Sequence, residues 1–521
     1  MKELLFNEDG YCNKNVIAIL VFLIILVVSS SVLKFKTGEE CDYRNSDATW
    51  HTLLTIKAYD ETPFKQHLFL PIVSLGRSED KGIPWGATIP DSEGNYYYTS
   101  FSAAGFFLPW LFIKVLSLPI EEKSLYLFNS FLFLISVLLW VFLLGIIYEN
   151  CKYKHQLCLI GGVLYALTPE VLHGMGIVYW HQSILQVTLL LQIIVYYQFA
   201  YKGSVKSKCL FYILALINPY IEWTGYIANM GFAVAEITIN YKNGWSIALK
   251  KAGLLGLITI VSFVIFSAQY LLRVDFWTFV YALKNRFMSR NITTTVLLTD
   301  LFGSYFKSFL YLWLFLIVVL IWCFVQDKKL EIDYGIIILL LAFPIVENII
   351  MKQHALVYTY DRMKASFVLI FIICEICRNI LEKNIEKNVI GGLIALSLCI
   401  STYNLLSYLN DTTYVWRTNY KVNNRVLANY ITKEYPDALY ASRTIVRGYM
   451  NLLFDRGIYE CLSAENAIKK ALKLGKTETV FINTETINGE SYKIETITIF
   501  NNKFKTSKIY SVKNGVIINY Y

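Results

Sequence analysis

Long apolar blocks separated by shorter polar segments dominate the pattern along the chain. Eleven of these blocks have the apolar content that indicates membrane-spanning helices. The first block is longer than the apolar core of a signal peptide, and no Ala-x-Ala cleavage site follows it, so we expect an uncleaved anchor. The spans are predicted at about 16–33, 123–148, 156–175, 180–200, 209–222, 226–240, 253–271, 307–325, 334–350, 364–380 and 388–409.

Composition and charge agree with this pattern. Of the 521 residues, 55% are hydrophobic and only 17% are charged, against roughly 25% charged in soluble domains. The formal net charge of +9 indicates topology rather than nucleic-acid binding, because the basic residues collect in short loops that the positive-inside rule places in the cytoplasm. With the N-terminus inside, these loops hold Lys152, Lys154, Lys202, Lys206, Lys208, Lys242, Lys250, Lys251, Lys328, Lys329, Arg378, Lys383 and Lys387.

A twelfth apolar stretch, 101–119, does not fit this charge pattern if it crosses the membrane. We therefore expect a helix that lies in the outer interface or re-enters the membrane. Three polar regions then share the extracytoplasmic side: the outer loop 34–122, the loop 272–306 and the segment from residue 410 onwards. The prediction is an all-α polytopic membrane domain over 1–409 with about eleven transmembrane helices, followed by a small extracytoplasmic α/β domain over 410–521.

The segment 410–521 has the alternation of a small α/β domain. Helices are predicted at 423–432, 445–454 and 464–474. Stretches rich in β-branched and aromatic residues predict extended structure at 438–441, 479–482, 495–500 and 508–518. The segment contains neither a glycine-rich phosphate loop nor a nucleophile elbow.

Ionisable residues stand at the outer ends of several predicted spans. Charges at such positions are costly and are candidates for function. The candidates for substrate binding are His181, Glu222, Glu347 and His354. Each residue taken alone favours a packing role beside a polar neighbour. Several of them on one face of the membrane favour a binding site there.

The first outer loop contains a second group of candidates. Asp47 and His51 are four residues apart, so they share one face of a predicted helix. Asp47 is a candidate catalytic residue and also a preferred helix N-cap, and the two roles are compatible. Farther along, Tyr97 and Tyr98 lie in an aromatic stretch that suits either an interface belt or stacking on a sugar ring.

The outer connection 351–364 carries positive charge against the topology rule. Arg362 and Lys364 are therefore candidates for binding a lipid phosphate, because guanidinium and ammonium groups bind phosphates generally. Ordinary contact with lipid headgroups is the alternative. Tyr360 in the same connection is a candidate for substrate binding.

This architecture resembles the GT-C superfamily of glycosyltransferases that use polyprenyl-phosphate sugars, above all the branch of protein O-mannosyltransferases and bacterial aminoarabinose transferases. The shared features are an anchor helix, a long outer loop with an early acidic residue, an aromatic approach to an interfacial helix, many spans and an outer C-terminal domain. By resemblance, Asp47 takes the acidic position at the reaction centre. Tyr97–Phe101 takes the aromatic approach, and Arg362 the basic position near the lipid phosphate.

Three departures from the family pattern stand beside these matches. Ala48 replaces the second residue of the frequent acidic pair, and Ser102 begins a segment where prolines are common. Where the family often has another carboxylate, at the entry to the fourth span, the chain reads Trp180-His181-Gln182-Ser183. Metal dependence therefore stays open: no cofactor is certain and a divalent metal is compatible with the sequence. His181 or Glu222 is a candidate for the missing role.

The resemblance implies transfer of a sugar from a polyprenyl phosphate to an acceptor, with inversion at the anomeric carbon. Asp47 would serve as general base, while Arg362 and Lys364 would stabilise the departing phosphate. The expected partners are the lipid-linked donor, membrane lipid and a glycan, lipid or protein acceptor, without nucleic acid. The expected location is a bacterial cell membrane, with the active site outside. A lipid-linked polysaccharide polymerase or ligase and a transporter or flippase are the alternatives.

Overall fold

The computed structural model of the chain describes residues 14–40, 46–73, 88–176, 179–292, 295–325, 334–383, 387–410, 426–442, 458–483, 492–500, 503–513 and 516–519. It divides into two compact units. The first unit comprises Met1–Phe35, Tyr126–Phe266 and Phe287–Asn410. The second comprises Lys36–Leu125, Ser267–Arg286 and Asp411–Tyr521. The division into domains 1–409 and 410–521 stays a prediction.

Helices predominate from the N-terminus to residue 410. The elements up to residue 174 are α1 (Lys14–Glu40), α2 (Ser46–Glu61), α3 (Phe64–His67), β1 (Thr88–Pro90), β2 (Tyr96–Tyr98), α4 (Ala104–Val115), α5 (Glu122–Ile147), α6 (Lys154–Ala166) and α7 (Pro169–Gly174). The next are α8 (Gln182–Lys202), α9 (Val205–Ile221), α10 (Thr224–Asn240), α11 (Trp245–Leu271), α12 (Phe276–Phe287), α13 (Leu298–Ser308) and α14 (Leu310–Val325). The last before residue 410 are α15 (Gly335–Ala342), α16 (Val346–Ile350), α17 (Lys352–Val357), α18 (Thr359–Arg362), α19 (Ala365–Lys383) and α20 (Lys387–Leu409).

Each of the eleven predicted spans coincides with at least one of these helices. Five of the described helices, namely α1, α5, α8, α11 and α20, are long and apolar enough to cross a membrane. A sixth crossing results if α13 and α14, which meet at an angle of 74°, form one span. The described residues thus contain the apolar helices expected of an integral membrane protein, while the total of eleven spans stays a prediction.

Proline interrupts two of the predicted spans. The block 156–175 is divided between α6 and α7, and α7 starts at Pro169. The block 334–350 is divided at a 3₁₀ turn that contains Pro344, between α15 and α16. Proline lacks a backbone N–H and its ring clashes with the preceding turn, so the regular α-helical hydrogen bonding is interrupted in both blocks. Both breaks are followed at once by a buried carboxylate, Glu170 and Glu347.

Close helix contacts hold the apolar core of the first unit together. The indole of Trp140 on α5 donates to the carbonyl of Gly161 on α6 at 3.1 Å. The same indole stacks on Phe367 of α19 with ring centroids 5.3 Å apart. A Cβ on Gly161 would lie 2.4 Å from a methyl group of Leu144, so glycine permits this approach of α5 and α6.

The second unit contains α4, which covers the apolar stretch 101–119. Twelve residues rise about 18 Å at 1.5 Å per residue, well short of the roughly 30 Å of a bilayer core. This length agrees with a helix that does not cross the membrane by itself. Nearby in sequence, β1 and β2 form an antiparallel hairpin in which Ile89 pairs with Tyr97.

The C-terminal part of the second unit is a mixed sheet with helices. It contains a helix at 426–434, called α21, then β3 (Leu439–Ser442), β4 (Tyr459–Glu460), α22 (Ala464–Lys473), β5 (Glu478–Asn483), β6 (Tyr492–Phe500), β7 (Lys503–Lys513) and β8 (Val516–Asn519). The strand order is β4-β3-β5-β6-β7-β8. β3 is parallel to β4 and β5, and the other pairs are antiparallel.

The predicted elements of this segment compare with the structure one by one. The helix at 464–474 and the extended segments at 438–441, 479–482 and 495–500 match α22, β3, β5 and β6. The extended stretch 508–518 corresponds to parts of two strands, β7 and β8. The predicted helix at 445–454 lies outside the described residues. That the segment is extracytoplasmic stays a prediction.

Candidate functional site

Besides Glu236 and Glu375, which pair with Lys251 and Arg378, four buried carboxylates of the first unit lie close to Arg362, Lys364 or His354. They are Glu170, Glu222, Glu347 and Asp361, and each side chain belongs to a residue no more than 6% exposed. Removing an ionised group from water costs several kcal/mol unless it gains a partner and hydrogen bonds. The partners of these four residues therefore define the candidate site.

Lys364 connects two of the carboxylates. Its ammonium group forms an ion pair with Glu347 and donates to Oγ1 of Thr224 at 2.7 Å. The backbone N–H of Thr224 donates in turn to Oε2 of Glu222 at 2.8 Å. Because α10 begins at Thr224, Glu222 lies at a helix N-terminus, where the exposed N–H groups favour an anion.

Asp361 binds two neutral side chains. Its Oδ2 contacts Nδ1 of His354, and its Oδ1 accepts a hydrogen bond from Nε2 of Gln182 at 2.9 Å. The side chain of Asn348 donates to the backbone carbonyl of Asp361 at 2.9 Å. Side chains from α8, α16 and α17 thus fix the position of Asp361, which lies on α18.

Hydrogen bonds and charges set the ionisation of this pair. Burial alone would raise the pKa of Asp361, but His354, Lys364 and Arg290 outweigh it, and the pKa lies below its ordinary value. Burial lowers the pKa of His354 more than the adjacent Asp361 raises it. Near neutral pH the pair therefore consists of an ionised carboxylate and a neutral imidazole.

Arg362 binds the fourth carboxylate. Its Nε lies 2.8 Å from Oε1 of Glu170 and 3.2 Å from Oγ of Ser308. Its Nη1 donates to the backbone carbonyl of Leu356 at 2.9 Å. Both candidate phosphate-binding residues, Arg362 and Lys364, are therefore engaged in buried ion pairs. A phosphate would have to share them with these carboxylates or replace the carboxylates.

In the second unit, Asp91 stabilises the β1–β2 hairpin, which contains the candidate residues Tyr97 and Tyr98. Its carboxylate accepts from the backbone N–H of Glu93 at 2.9 Å and of Asn95 at 2.8 Å. It also accepts from the hydroxyl of Tyr97 at 3.1 Å and from Arg273 at 2.7 Å. Burial would raise the pKa of Asp91, but these hydrogen bonds outweigh it and the pKa is lowered.

Tyr98 and His51 pack together in the same unit. The His51 ring meets the edge of the Tyr98 ring with centroids 4.2 Å apart. The hydroxyl of Tyr270 donates to the backbone carbonyl of Tyr98 at 2.6 Å, and the Arg286 guanidinium lies 6.0 Å from the Tyr98 ring centroid. Burial and the charge of Arg286 lower the pKa of His51 to about 3, so His51 is neutral at physiological pH.

The structure groups some of the predicted site residues. Glu222, Glu347 and Lys364 form one connected set. His354 and Arg362 belong to the same connection, 351–364, but they bind different carboxylates.

The remaining predicted residues fall elsewhere. Tyr360 is buried, with its ring 6.2 Å from that of His354. His181 is fully buried against Trp180, with ring centroids 4.2 Å apart. Tyr97, Tyr98 and His51 belong to the second unit. Asp47 lies in the first turn of α2, and its side chain is outside the described part of the structure.

Sequence reasoning missed Asp361, Glu170, Gln182 and, in the second unit, the pair of Asp91 and Arg273. A signal existed for Asp361, because it precedes Arg362 in a connection already notable for its charge. A signal also existed for Glu170, because Pro169 marks the start of a helix and a carboxylate is favoured in the first turn of a helix. No group of three His, Cys, Asp or Glu side chains suited to a metal ion occurs within the described ranges.

Comparison with known proteins identifies the fold. No protein-family model matches the chain, and no curated protein matches it in sequence. Among solved structures, the chain is similar to the crystal structure of ArnT from Cupriavidus metallidurans bound to undecaprenyl phosphate. The match covers 94% of this chain and 98% of ArnT, with 9% identity and a TM-score of 0.57. This likeness shows the fold: the chain has the fold of this ArnT structure, in agreement with the architecture expected from the sequence.

Proposed function

We propose that the chain is a membrane glycosyltransferase that moves a sugar from a polyprenyl-phosphate donor to an acceptor on the extracytoplasmic side of a bacterial cell membrane. The observation that carries this proposal is the shared fold over 94% of the chain with a protein whose structure holds undecaprenyl phosphate. The acceptor is a glycan, a lipid or a protein. The domains are 1–409, which binds the donor, and 410–521, which faces outwards.

The buried ion pairs in the first unit support a site for the donor phosphate. Arg362 and Lys364 supply two cations in a setting where carboxylates already take the place of an anion. A lipid phosphate that binds here keeps each cation paired, while a carboxylate that it displaces has to take up a proton or reach water. Charge-assisted hydrogen bonds from these groups stabilise the phosphate as it departs.

The reaction is a direct displacement at the anomeric carbon. The acceptor's hydroxyl or amine attacks that carbon, the bond between the carbon and the phosphate oxygen breaks, and the bonding electrons stay on the phosphate. Asp47 takes the acceptor's proton as general base, which contributes on the order of 10²–10⁴-fold to the rate. Attack opposite the departing phosphate inverts the configuration. Stacking of Tyr97 or Tyr98 on a sugar stays a prediction, and it requires that these rings, 0% and 6% exposed, become accessible.

The test is the loss of radiolabelled sugar from a panel of polyprenyl phosphates, incubated with purified protein and a crude acceptor extract. We expect the wild type to discharge one donor and Asp47→Asn to slow that discharge at least about 100-fold. Asp60→Asn is the matched control, because Asp60 lies on the same helix but forms a partly exposed ion pair with Lys114.

Each result has a defined meaning. Equal discharge by Asp47→Asn and the wild type would leave the transferase in place and remove Asp47 from the reaction. Failure of the wild type on every donor, with and without added divalent metal, would contradict the proposal. Loss of activity on adding EDTA, restored by one divalent metal, would settle the open question of metal dependence.

A further inference from the structure

The imidazole of His354 is held on one side by a buried carboxylate. Its Nδ1 contacts Oδ2 of Asp361, whose other oxygen is occupied by Gln182 at 2.9 Å. The residue His354 is 9% exposed and Asp361 is 3% exposed. Since the carboxylate can only accept, Nδ1 carries the proton and donates it to Asp361.

This arrangement turns Nε2 of His354 into a hydrogen-bond acceptor. With the proton on Nδ1, the neutral ring has its lone pair on Nε2. Among the described residues, no donor lies within hydrogen-bond distance of Nε2. No group of the described protein occupies this acceptor, so a ligand hydroxyl can supply the donor. The side chain retains 11% of its surface, which leaves room for a ligand atom.

Aromatic rings flank the same imidazole. The ring centroid of Tyr358 lies 4.5 Å from that of His354, and Tyr358 stacks on Tyr360 at 5.1 Å with 19° between the planes. Tyr360 is buried, whereas Tyr358 is only partly buried. A partly open aromatic ring beside a fixed hydrogen-bond acceptor suits a saccharide, which presents an apolar C–H face and hydroxyl donors at its edge.

We propose that Nε2 of His354 accepts a hydrogen bond from one hydroxyl of the sugar that the donor lipid carries, and that Asp361 is the positioning residue that fixes the imidazole for this contact. The inference rests on the proposed function and assigns part of its specificity. His354 thereby selects sugars that have a hydroxyl donor at one ring position. The charged groups that face His354 are Asp361, Arg290 and Glu347.

The test uses the lipid-linked sugar that the discharge assay selects, together with its monodeoxy and monodeoxyfluoro analogues. Fluorine is close to a hydroxyl in size but cannot donate a hydrogen bond. For the wild type, we expect replacement of one particular hydroxyl by hydrogen or fluorine to raise KM about tenfold or more. His354→Gln should abolish that preference, because its amide supplies no fixed acceptor.

Asp361→Asn examines the positioning role separately. An asparagine amide can donate to Nδ1, which moves the imidazole proton to Nε2 and makes Nε2 a donor. We expect this variant to lose discrimination between the hydroxyl and fluorine at the same ring position. Undecaprenyl phosphate without a sugar is the control ligand, and both variants should still bind it, which shows that the site is folded.

The wild-type analogue series decides the question even if a variant fails to fold. Equal KM values for all analogues would overturn the inference, as would a fall in kcat without a change in KM in His354→Gln. The proposed function fails in a different way: the wild type would then neither bind undecaprenyl phosphate nor discharge any donor.

Discussion

The buried ion pair between Glu170 and Arg362 provides a quantitative test of how the first unit is held together. At an effective dielectric constant of about 20, unit charges about 3 Å apart attract each other by about 6 kcal/mol. Desolvation offsets much of this attraction, but removal of one partner leaves the other charge buried alone, which costs about 3–5 kcal/mol. Glu170→Gln retains an acceptor for Nε of Arg362, so we expect a loss near the lower end, about 3 kcal/mol.

The matched control is the exposed pair of Glu149 and Lys202, whose side chains are 40% and 36% exposed. Glu149→Gln should cost no more than about 1 kcal/mol, because exposed ion pairs contribute little. The free energy of unfolding is measured in detergent micelles by titration with SDS, with tryptophan fluorescence as the readout. The double variant Glu170→Gln/Arg362→Gln should lose less than the sum of its single variants.

Two results would refute this reasoning. Equal losses for Glu170→Gln and Glu149→Gln would mean that the buried pair contributes no more than a surface pair. Strict additivity in the double variant would mean that Glu170 and Arg362 do not interact energetically, whatever their separation of 2.8 Å.

Three further predictions concern other parts of the molecule. Gly225→Ala should lower the free energy of unfolding by about 1–3 kcal/mol or more, because the added Cβ would lie 2.2 Å from the backbone of Asn218. The control is Gly256→Ala, where a Cβ would meet no neighbour within 4 Å. It should change the free energy of unfolding by no more than about 1 kcal/mol. The pKa of His51 is about 3 in the folded chain and about 6.5 in the unfolded chain, so between these pH values only the unfolded chain takes up the proton. Relative to His51→Gln, the free energy of unfolding of the wild type should therefore fall by about 2–3 kcal/mol between pH 7 and 4.5. Arg273→Met leaves Asp91 without its cation, and amide hydrogen exchange in Tyr96–Tyr98 should quicken about tenfold. Lys57→Met, which removes a partly exposed ion pair with Glu61, should leave this exchange rate unchanged.

Much of the fold was predictable because its signals are local. Long apolar blocks are a local feature of the sequence that depends only on neighbouring residues, so the helices appear where the sequence predicts them. The interruptions were harder to place. Pro169 and Pro344 divide blocks that hydropathy alone treats as continuous. The length of α4 agrees with the conclusion, drawn from charge alone, that 101–119 is not an ordinary span.

The candidate site was predictable only in part, because its contacts join residues far apart in sequence. Arg362 was recognisable as a cation on the wrong side of the topology rule, but its partner Glu170 lies 192 positions away. Gln182 and Asp361 are separated by 179 positions. Their proximity depends on helix packing, which no local pattern encodes. The structure also supplies a second reason for the basic residues of the connection 351–364, since buried carboxylates pair with Arg362 and Lys364.

The central claim is that the chain breaks the bond between a sugar and a polyprenyl phosphate. The most direct measurement follows radiolabelled polyprenyl-phosphate sugars in proteoliposomes that contain the purified protein, with and without acceptor extract. We expect free polyprenyl phosphate to appear only when acceptor is present, in step with label in the acceptor. Intact sugar lipid that crosses the bilayer without being cleaved would contradict the claim and favour a flippase.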